Sequence, residues 1–237
     1  MYNAEKYIEE CLDSILNSNL PKKLYELVIV NDGSKDKSPE IAQNYAAKYS
    51  NVTYLTQENQ GQSTARNLPI KDRLSVHERS KEVDGKRFGD FETNLIVDPD
   101  QHAILTLVEK STNMLLMQKL PFGKQSKPLA KVVRKLLLPY KDILKTITTD
   151  NGPEFAAHKD ITKFLGVPVY FAGPYCSWQK GAIENTNKLI RQYIPKKDSF
   201  ERYTEKRIME IQKKLNERPR EKLNFSTPKC EFFKYVL

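Results

Sequence analysis

The chain has 237 residues, of which 39% are hydrophobic and 10% aromatic, and its mean hydropathy is −0.63. No run of residues approaches the roughly 20 apolar residues that a membrane-spanning helix needs. Residues 1–16 interleave charged and apolar side chains, which is not the pattern of a secretory signal. The sequence therefore predicts a cytoplasmic protein with no membrane partner. Cys11, Cys176 and Cys230 are far apart, which argues against a disulfide framework and a zinc finger.

The charge is distributed unevenly along the chain. Residues 1–67 contain 7 Lys+Arg and 9 Asp+Glu, a net charge of −2, which leaves 32 and 21, a net charge of +11, for residues 68–237. An excess of this size fits a surface that binds a polyanion such as nucleic acid, because each neutralised phosphate releases counterions. A solvated basic face is the alternative, and charge alone does not separate the two.

The first part of the chain alternates between helical and strand patterns. Apolar residues at helical spacing predict a helix over 4–17, and an apolar run predicts a buried strand over 25–30 that ends in a turn. A second helix is expected to begin at Ser38, with Ser38 as its cap, and a second strand is expected over 52–56. This α/β alternation stops near residue 67.

The second part begins with a polar, irregular stretch, residues 68–87, that is predicted to be a linker or an arm. Three β-rich runs with short turns between them then predict an antiparallel meander over 91–97, 102–109 and 113–120. Helices and strands alternate after the meander: helix 129–138, strand 145–149, helix 156–165, strand 167–171, helix 178–193, and a further charged helix over 203–216. The predicted order is therefore βββαβαβα before that last helix, and a proline-containing tail follows it.

Two carboxylates stand out in this part of the chain. Asp150 follows a β-branched run and precedes Asn-Gly, so it is expected at the end of a strand, whereas Glu184 falls in a predicted helix. Such a pair can converge on Mg²⁺, which prefers oxygen ligands and retains waters and substrate phosphates in its shell. In two-metal phosphoryl transfer the carboxylates act as ligands and not as proton carriers. A bare Asp and Glu also occur in many sequences by chance.

Four long motifs surround these two residues. They occupy residues 148–155 (TTDNGPEF), 170–187 (YFAGPYCSWQKGAIENTN), 189–196 (LIRQYIPK) and 215–223 (LNERPREKL). In this order they closely resemble the DDE insertion-sequence transposases of the type numbered thirty, which share the retroviral-integrase catalytic core. The resemblance runs from about residue 69 to 237. It implies a ribonuclease-H-like α/β fold, a mixed sheet with flanking helices, and Mg²⁺- or Mn²⁺-dependent DNA cleavage and strand transfer. The implied partners are element-end and target DNA, with a homo-oligomer assembled on the DNA.

The resemblance assigns the second and third acids of the catalytic triad to Asp150 and Glu184, which would also be the metal ligands. Where the first acid should stand, after Gly-Asp-Phe-Glu-Thr, this chain has Asn94. An amide oxygen can still contact a metal, but the site loses one of three negative charges, so we expect a large loss of activity. Asp90 and Glu92 share a strand face with residue 94, and partial substitution by either of them is an open alternative.

Basic residues on or near the predicted Glu184 helix are candidates for holding DNA phosphates beside the metals. These are Lys180, Lys188 and Arg191, and a solvated face is the alternative for them. Trp178, at the start of the same helix, is expected to be a packing anchor, with base stacking as the alternative.

Residues 2–8, 28–34 and 58–67 look like the start of a family-2 glycosyltransferase with the GT-A nucleotide-sugar fold. Asp32 would then match the acid that contacts the nucleotide, as a vestigial nucleotide-binding residue. The Asp-x-Asp metal motif and the acceptor-binding half do not follow, so we expect a truncated, inactive α/β fragment. The join also leaves out the helix-turn-helix segment such transposases usually carry, which weakens the case for sequence-specific DNA binding.

The expected organisation is a glycosyltransferase-like fragment over 1–67, a linker or arm over 68–87, an integrase-like core over 88–195, and a basic helix and tail over 196–237. The leading hypothesis is a DDE-type transposase core, impaired by Asn94, in the bacterial cytoplasm and associated with the nucleoid. One alternative is a catalytically dead core that still binds DNA. The other is a nucleotide-sugar glycosyltransferase.

Overall fold

A computed structural model describes residues 1–18, 25–59, 61, 65, 72–83, 85–173 and 180–236. The chain divides into two compact units, Met1–Lys71 and Asp72–Leu237. Trp178 and Cys176 lie outside the described residues, so the expectation for Trp178 stays a prediction.

The first unit is a small α/β arrangement. It contains α1 (Ile8–Leu16), β1 (Leu27–Asp32), α2 (Ser38–Lys48) and β2 (Val52–Gln57), and its two strands pair in parallel. Its core contains these buried residues: Ile8, Leu12, Leu16, Ile29, Ala42 and Val52. The helical spacing seen in the sequence is therefore the spacing of residues that face the strands.

The start of α2 differs from the sequence-based expectation that Ser38 is the cap. Ser38 is the first helical residue, and its hydroxyl accepts a hydrogen bond of 2.8 Å from the Ala4 N–H. The Asp36 carboxylate instead accepts from the Ser38 N–H at 3.0 Å. The cap position is Lys37, whose side chain makes no capping bond, because the Ser38 hydroxyl is used by the remote Ala4.

The second unit is built on a six-stranded mixed sheet. Its strands are β3 (Leu74–Ser75), β4 (Asp90–Val97), β5 (Ala103–Glu109), β6 (Leu115–Leu120), β7 (Thr146–Thr149) and β8 (Val169–Phe171), in the order β3-β8-β7-β4-β5-β6. β4, β5 and β6 form the predicted antiparallel meander, and β7, β8 and β3 add in parallel. This topology with flanking helices confirms the predicted ribonuclease-H-like class.

Helices cover both faces of this sheet. They are α3 (Ser126–Leu137), α4 (His158–Leu165), α5 (Gly181–Ile190), α6 (Glu205–Asn216) and α7 (Pro228–Phe233). Ile96, Ile104 and Val108 of the meander share one buried cluster with Ile183 of α5 and Ile211 of α6. Glu184 is therefore on a helix whose apolar side is packed directly on the central strands.

The C-terminal helix α7 lies in the stretch that the sequence analysis left as a tail. The Thr227 hydroxyl caps it by accepting from the Cys230 N–H at 3.2 Å, and Pro228 occupies the first turn. The fully buried Phe232 meets Phe91 of β4 edge-on at 6.5 Å and Tyr140 at 5.0 Å. The Thr-Pro pair is a helix-start signal that could have predicted α7.

Part of the stretch predicted as a linker or arm contributes to the second unit. β3 pairs with β8, and the Arg79 guanidinium donates to the Thr148 hydroxyl at 3.0 Å. Arg73 likewise donates to the Asn151 side chain at 3.0 Å. None of the helices in the described ranges has the length and apolar composition of a membrane span.

Candidate functional site

The parallel pairing of β4 with β7 directs Asn94 and Asp150 toward the same end of the two strands. The parallel register matches Asp90 with Thr146 and Glu92 with Thr148. Asn94 follows the last paired residue of β4 by two positions, and Asp150 follows Thr148 by two, just past the end of β7, so this register, if continued, would set them side by side. Both residues are partly exposed, so this edge of the sheet is open to a ligand.

Helix α5 brings Glu184 over the same strands. The Glu92 carboxylate accepts a hydrogen bond of 2.9 Å from the N–H of Ile183, the residue before Glu184. One turn further along, the Asn187 side chain lies 3.5 Å from the Thr106 hydroxyl, which itself donates to the Asn94 carbonyl at 3.2 Å. These two contacts bracket Glu184 and hold its part of α5 against β4 and β5.

Asp150 has the features of a cation ligand. Its Oδ1 atom is buried and has no hydrogen-bond partner among the described residues, and its Oδ2 atom lies 3.4 Å from the Lys180 ammonium. A buried carboxylate oxygen without a donor is costly unless a ligand satisfies it. Oxygen donors from two carboxylates are the chemistry that Mg²⁺ or Mn²⁺ takes, so the residues present fit such an ion.

Asn94 contributes less to this edge than an aspartate would. Its side-chain oxygen accepts a hydrogen bond of 2.9 Å from the N–H of Leu95. The amide carries no net charge, and one lone pair of its oxygen is already used. The edge therefore has two anionic side chains at the three triad positions.

Asp90 and Glu92 are held by other partners. Asp90 is fully buried and accepts from Arg87 at 2.8 and 3.0 Å and from the Thr146 hydroxyl at 2.7 Å. Glu92 is 1% exposed and lies 3.2 Å from the Lys110 ammonium in addition to its bond with Ile183. The structure therefore disfavours the alternative in which either carboxylate substitutes for Asn94.

From the sequence, Glu92 was predicted only as a possible substitute ligand. In the structure its carboxylate connects β4 to the start of α5 through the hydrogen bond from Ile183. The signal for such a link was present: an acid in the middle of an apolar strand must be paired if that strand is central. Its partners could not be read from the sequence, because both Lys110 and Ile183 are remote along the chain.

The three basic residues proposed to hold DNA occupy different environments. Lys180 is 3% exposed and is paired with Asp150, whereas Lys188 is exposed on α5. Arg191 follows α5 and donates weakly to the carbonyls of Ile194 and Pro195 at 3.4 and 3.3 Å, and burial lowers its pKa. Lys188 is thus the member of the set that presents its charge most openly.

A second cluster of ligand-type side chains lies at the β4–β5 turn. One ligand atom each of Asp98, Asp100 and His102 lies within 4.8 Å of the others. The Asp98 carboxylate, however, already accepts from the Phe200 N–H at 2.7 Å and from both the backbone and the ring of His102 at 2.8 Å. Asp98 therefore fastens the turn to the segment after α5.

Replacing Asp98 with alanine is expected to lower the free energy of unfolding by about 2–4 kcal/mol, because buried donors lose a charged acceptor. Burial opposes ionisation of Asp98, but the bonds from Phe200 and His102 outweigh it and lower its pKa below the ordinary 3.8. Its stabilising contribution is therefore present above pH 3.8 and is lost as the pH falls through the lowered value. Urea unfolding at several pH values measures both effects. Asp142→Ala, at an exposed position, is the control, and equal losses in the two variants would contradict the assignment.

In the first unit, Asp32 lies at the carboxyl end of β1, as the glycosyltransferase resemblance implies. It is 5% exposed, and its Oδ1 atom accepts from the Gln57 side chain at 2.7 Å. The adjacent Gly33 has a φ of +71°, and a Cβ there would come within 2.8 Å of the Asn59 N. The loop after β1 is therefore tightly packed and requires glycine.

Comparison with known proteins separates the two parts of the chain. Residues 1–71 match the family Glycosyl transferase family 2. Over 170 residues the chain is 44% identical to the transposase for insertion sequence element IS4351 of Bacteroides fragilis, covering 71% of this chain and 52% of that protein. Over 164 residues it is 38% identical to transposase InsI for insertion sequence element IS30A of Escherichia coli (strain K12), covering 68% and 43%.

The chain thus spans about half the length of these transposases. A solved structure of the catalytic core domain of BIV integrase aligns with 62% of this chain and 95% of its own, with a TM-score of 0.49 and 19% identity. Both resemblances predicted from the motifs, to insertion-sequence transposases and to family-2 glycosyltransferases, are confirmed by the sequence comparisons.

Proposed function

We propose that the second unit is a DDE-type transposase core that cleaves and joins DNA strands at the edge formed by Asn94, Asp150 and Glu184. Asp150 and Glu184 hold the divalent cation, Mg²⁺ or Mn²⁺. Asn94 leaves the site short of one charge, so strand transfer is strongly impaired. Homo-oligomers assembled on element-end and target DNA, in the cytoplasm at the nucleoid, belong to the same proposal.

The observation that carries this proposal is the shared edge. The β4–β7 register runs toward residue 94 and Asp150, and the bond from Ile183 to Glu92 holds the residue before Glu184 against β4. Identity to insertion-sequence transposases runs through this same part of the chain. These observations support a shared cation site at Asn94, Asp150 and Glu184.

A bound divalent ion would activate the attacking oxygen and stabilise the leaving one. The chain's own residues bind and orient it. Asp150 offers the unpartnered Oδ1 atom, Glu184 offers a second carboxylate, and Lys180 balances the charge of Asp150 from the buried side. Asn94 can add only a neutral oxygen, which attracts a cation less strongly than a carboxylate does.

One further reading is supported by a specific observation. The Lys180 ammonium already partly neutralises Asp150, and Asn94 supplies no negative charge at the third triad position. A core of this kind would bind DNA without cleaving it or transferring its strands. Nucleotide-sugar transfer is not proposed, because the match to the glycosyltransferase family ends at residue 71.

Direct measurement of Mn²⁺ binding tests the cation site. With the full chain, Asp150→Asn and Glu184→Gln are each expected to raise the Kd for Mn²⁺ by about tenfold or more, since each removes one anionic ligand. Titration followed by the electron paramagnetic resonance signal of unbound Mn²⁺ gives the affinity. Asp142→Asn, at an exposed position away from the edge, is the matched control. Binding by Asp150→Asn that equals the parent's would overturn the proposed site.

A further inference from the structure

A large basic groove lies on the side of α5 that faces away from Glu184. Its volume is about 710 Å³, and its walls come from residues 76–83 and Gly85, the β5–β6 turn, α5 and the turn after α6. Among the described residues, four cationic side chains line it: Arg79, Lys110, Arg220 and Lys222. We call this cavity the basic groove.

The groove carries more positive than negative charge. Of the two acids that line it within the described ranges, Glu92 is buried and forms an ion pair with Lys110 at 3.2 Å. The Lys222 ammonium donates to the Lys110 carbonyl at 2.8 Å, and this bond keeps the two lysines in the same wall of the groove. Burial, and then the nearby charge of Lys110, lower the pKa of Lys222, although Glu109 and Glu92 oppose this. Gathered cations of this kind are stabilised by an anion.

The start of α5 opens into the same space. Gly181 and Ala182 line the groove, and a Cβ placed on Gly181 would meet no atom within 4 Å. In this first turn the N–H of Ile183 is already bonded to Glu92. The groove's donors to phosphate oxygens are therefore its cationic side chains.

We propose that the basic groove binds the phosphodiester backbone of DNA on the side of α5 opposite Glu184. At about 100° per residue, the groove-lining Ala182, Asn185 and Leu189 lie on the face of α5 turned away from Glu184. A strand at the catalytic edge would be about one helix diameter, roughly 10 Å, from the groove. The inference deepens the proposed function, since it concerns the same DNA, but it requires neither cation binding nor strand transfer.

Fluorescence anisotropy with a labelled DNA duplex in EDTA tests the groove in the full chain. Lys222→Glu and Asn185→Glu place a negative charge in the groove from two different elements. Each is expected to weaken binding about tenfold at about 0.1 M salt, and Lys222→Glu is expected to flatten the slope of log K against log salt by about one. Asn185 is exposed on α5, so its variant keeps the test valid if Lys222→Glu disturbs its turn.

Lys206→Glu, an equal charge change at an exposed position on α6, is the control for Lys222→Glu, and Asn185→Gln is the neutral control for Asn185→Glu. Binding by both glutamate variants that matches their controls would overturn the inference. So would a loss confined to Lys188→Glu, because the DNA would then lie on the other face of α5. Failure of the transposase proposal shows instead as Mn²⁺ binding that Asp150→Asn leaves unchanged, with DNA binding intact.

Discussion

Asn94→Asp is expected to raise the rate of Mn²⁺-dependent nicking of element-end DNA by about 100-fold or more. Two unit charges 4 Å apart attract by about 4 kcal/mol at an effective dielectric constant of about 20, and each 1.4 kcal/mol is a tenfold change in rate. The factor of about 100 allows for the cost of desolvating the new carboxylate. Single-turnover nicking and strand transfer, measured for parent and variant side by side, give the comparison.

Two controls make this result specific. Asn224→Asp adds the same charge in an exposed turn and is expected to leave the rate unchanged. Adding Glu184→Gln to the Asn94→Asp chain is expected to remove the gain, because the new carboxylate then lacks a partner ligand. An Asn94→Asp chain that folds and binds DNA but is as inert as the parent would show that residue 94 is not the limiting defect.

Glu92→Ala is expected to lower the free energy of unfolding of the second unit by about 3–5 kcal/mol. The substitution leaves Lys110 as an unpaired, largely buried charge and leaves the Ile183 N–H without its acceptor. Glu92→Gln keeps an acceptor for Ile183 but loses the charge opposite Lys110, so an intermediate loss of about 1–3 kcal/mol is expected. Urea unfolding followed by circular dichroism measures both values.

Glu210 provides the comparison for Glu92. It pairs with Arg207 at 3.1 Å on the exposed side of α6, and exposed pairs contribute little, so Glu210→Ala is expected to cost less than about 1 kcal/mol. If Glu92→Ala costs no more than Glu210→Ala, the carboxylate does not anchor α5 to the sheet. The position of Glu184 would then depend on the apolar packing of Ile183 and Ile190 alone.

The local patterns of the sequence predicted the elements from α1 to α6 and their order, except for β3, and they did not predict α7. The β-rich runs of 91–120 predicted the meander, because strands separated by short turns pair with each other. Asp150 was correctly placed past a strand end, since a β-branched run followed by Asn-Gly indicates where the chain turns. Helix starts were less certain, as Ser38 shows, because a serine hydroxyl can bond a remote backbone N–H instead of capping its own helix.

The polar links of the site could not be read from the sequence. Glu92 bonds with Ile183, and Asp98 bonds with Phe200, across long stretches of chain. Lys180 was placed among basic residues of an open face, yet its ammonium is buried beside Asp150. Composition gives the number of charges, whereas only the fold decides which of them are paired. The basic groove could not be predicted from the sequence either, since its cations come from elements that are remote along the chain.

The packing of Phe232 against Phe91 and Tyr140 has a consequence for how the second unit is made. Phe91 of β4 is synthesised long before residues 228–233, so its contact with Phe232 cannot form until the end of synthesis. Contacts between such remote segments slow folding and prolong the lifetime of aggregation-prone intermediates with exposed apolar surface. Cells producing this chain should therefore depend on chaperones during its synthesis, and a tag that disturbs α7 should shift the product into inclusion bodies.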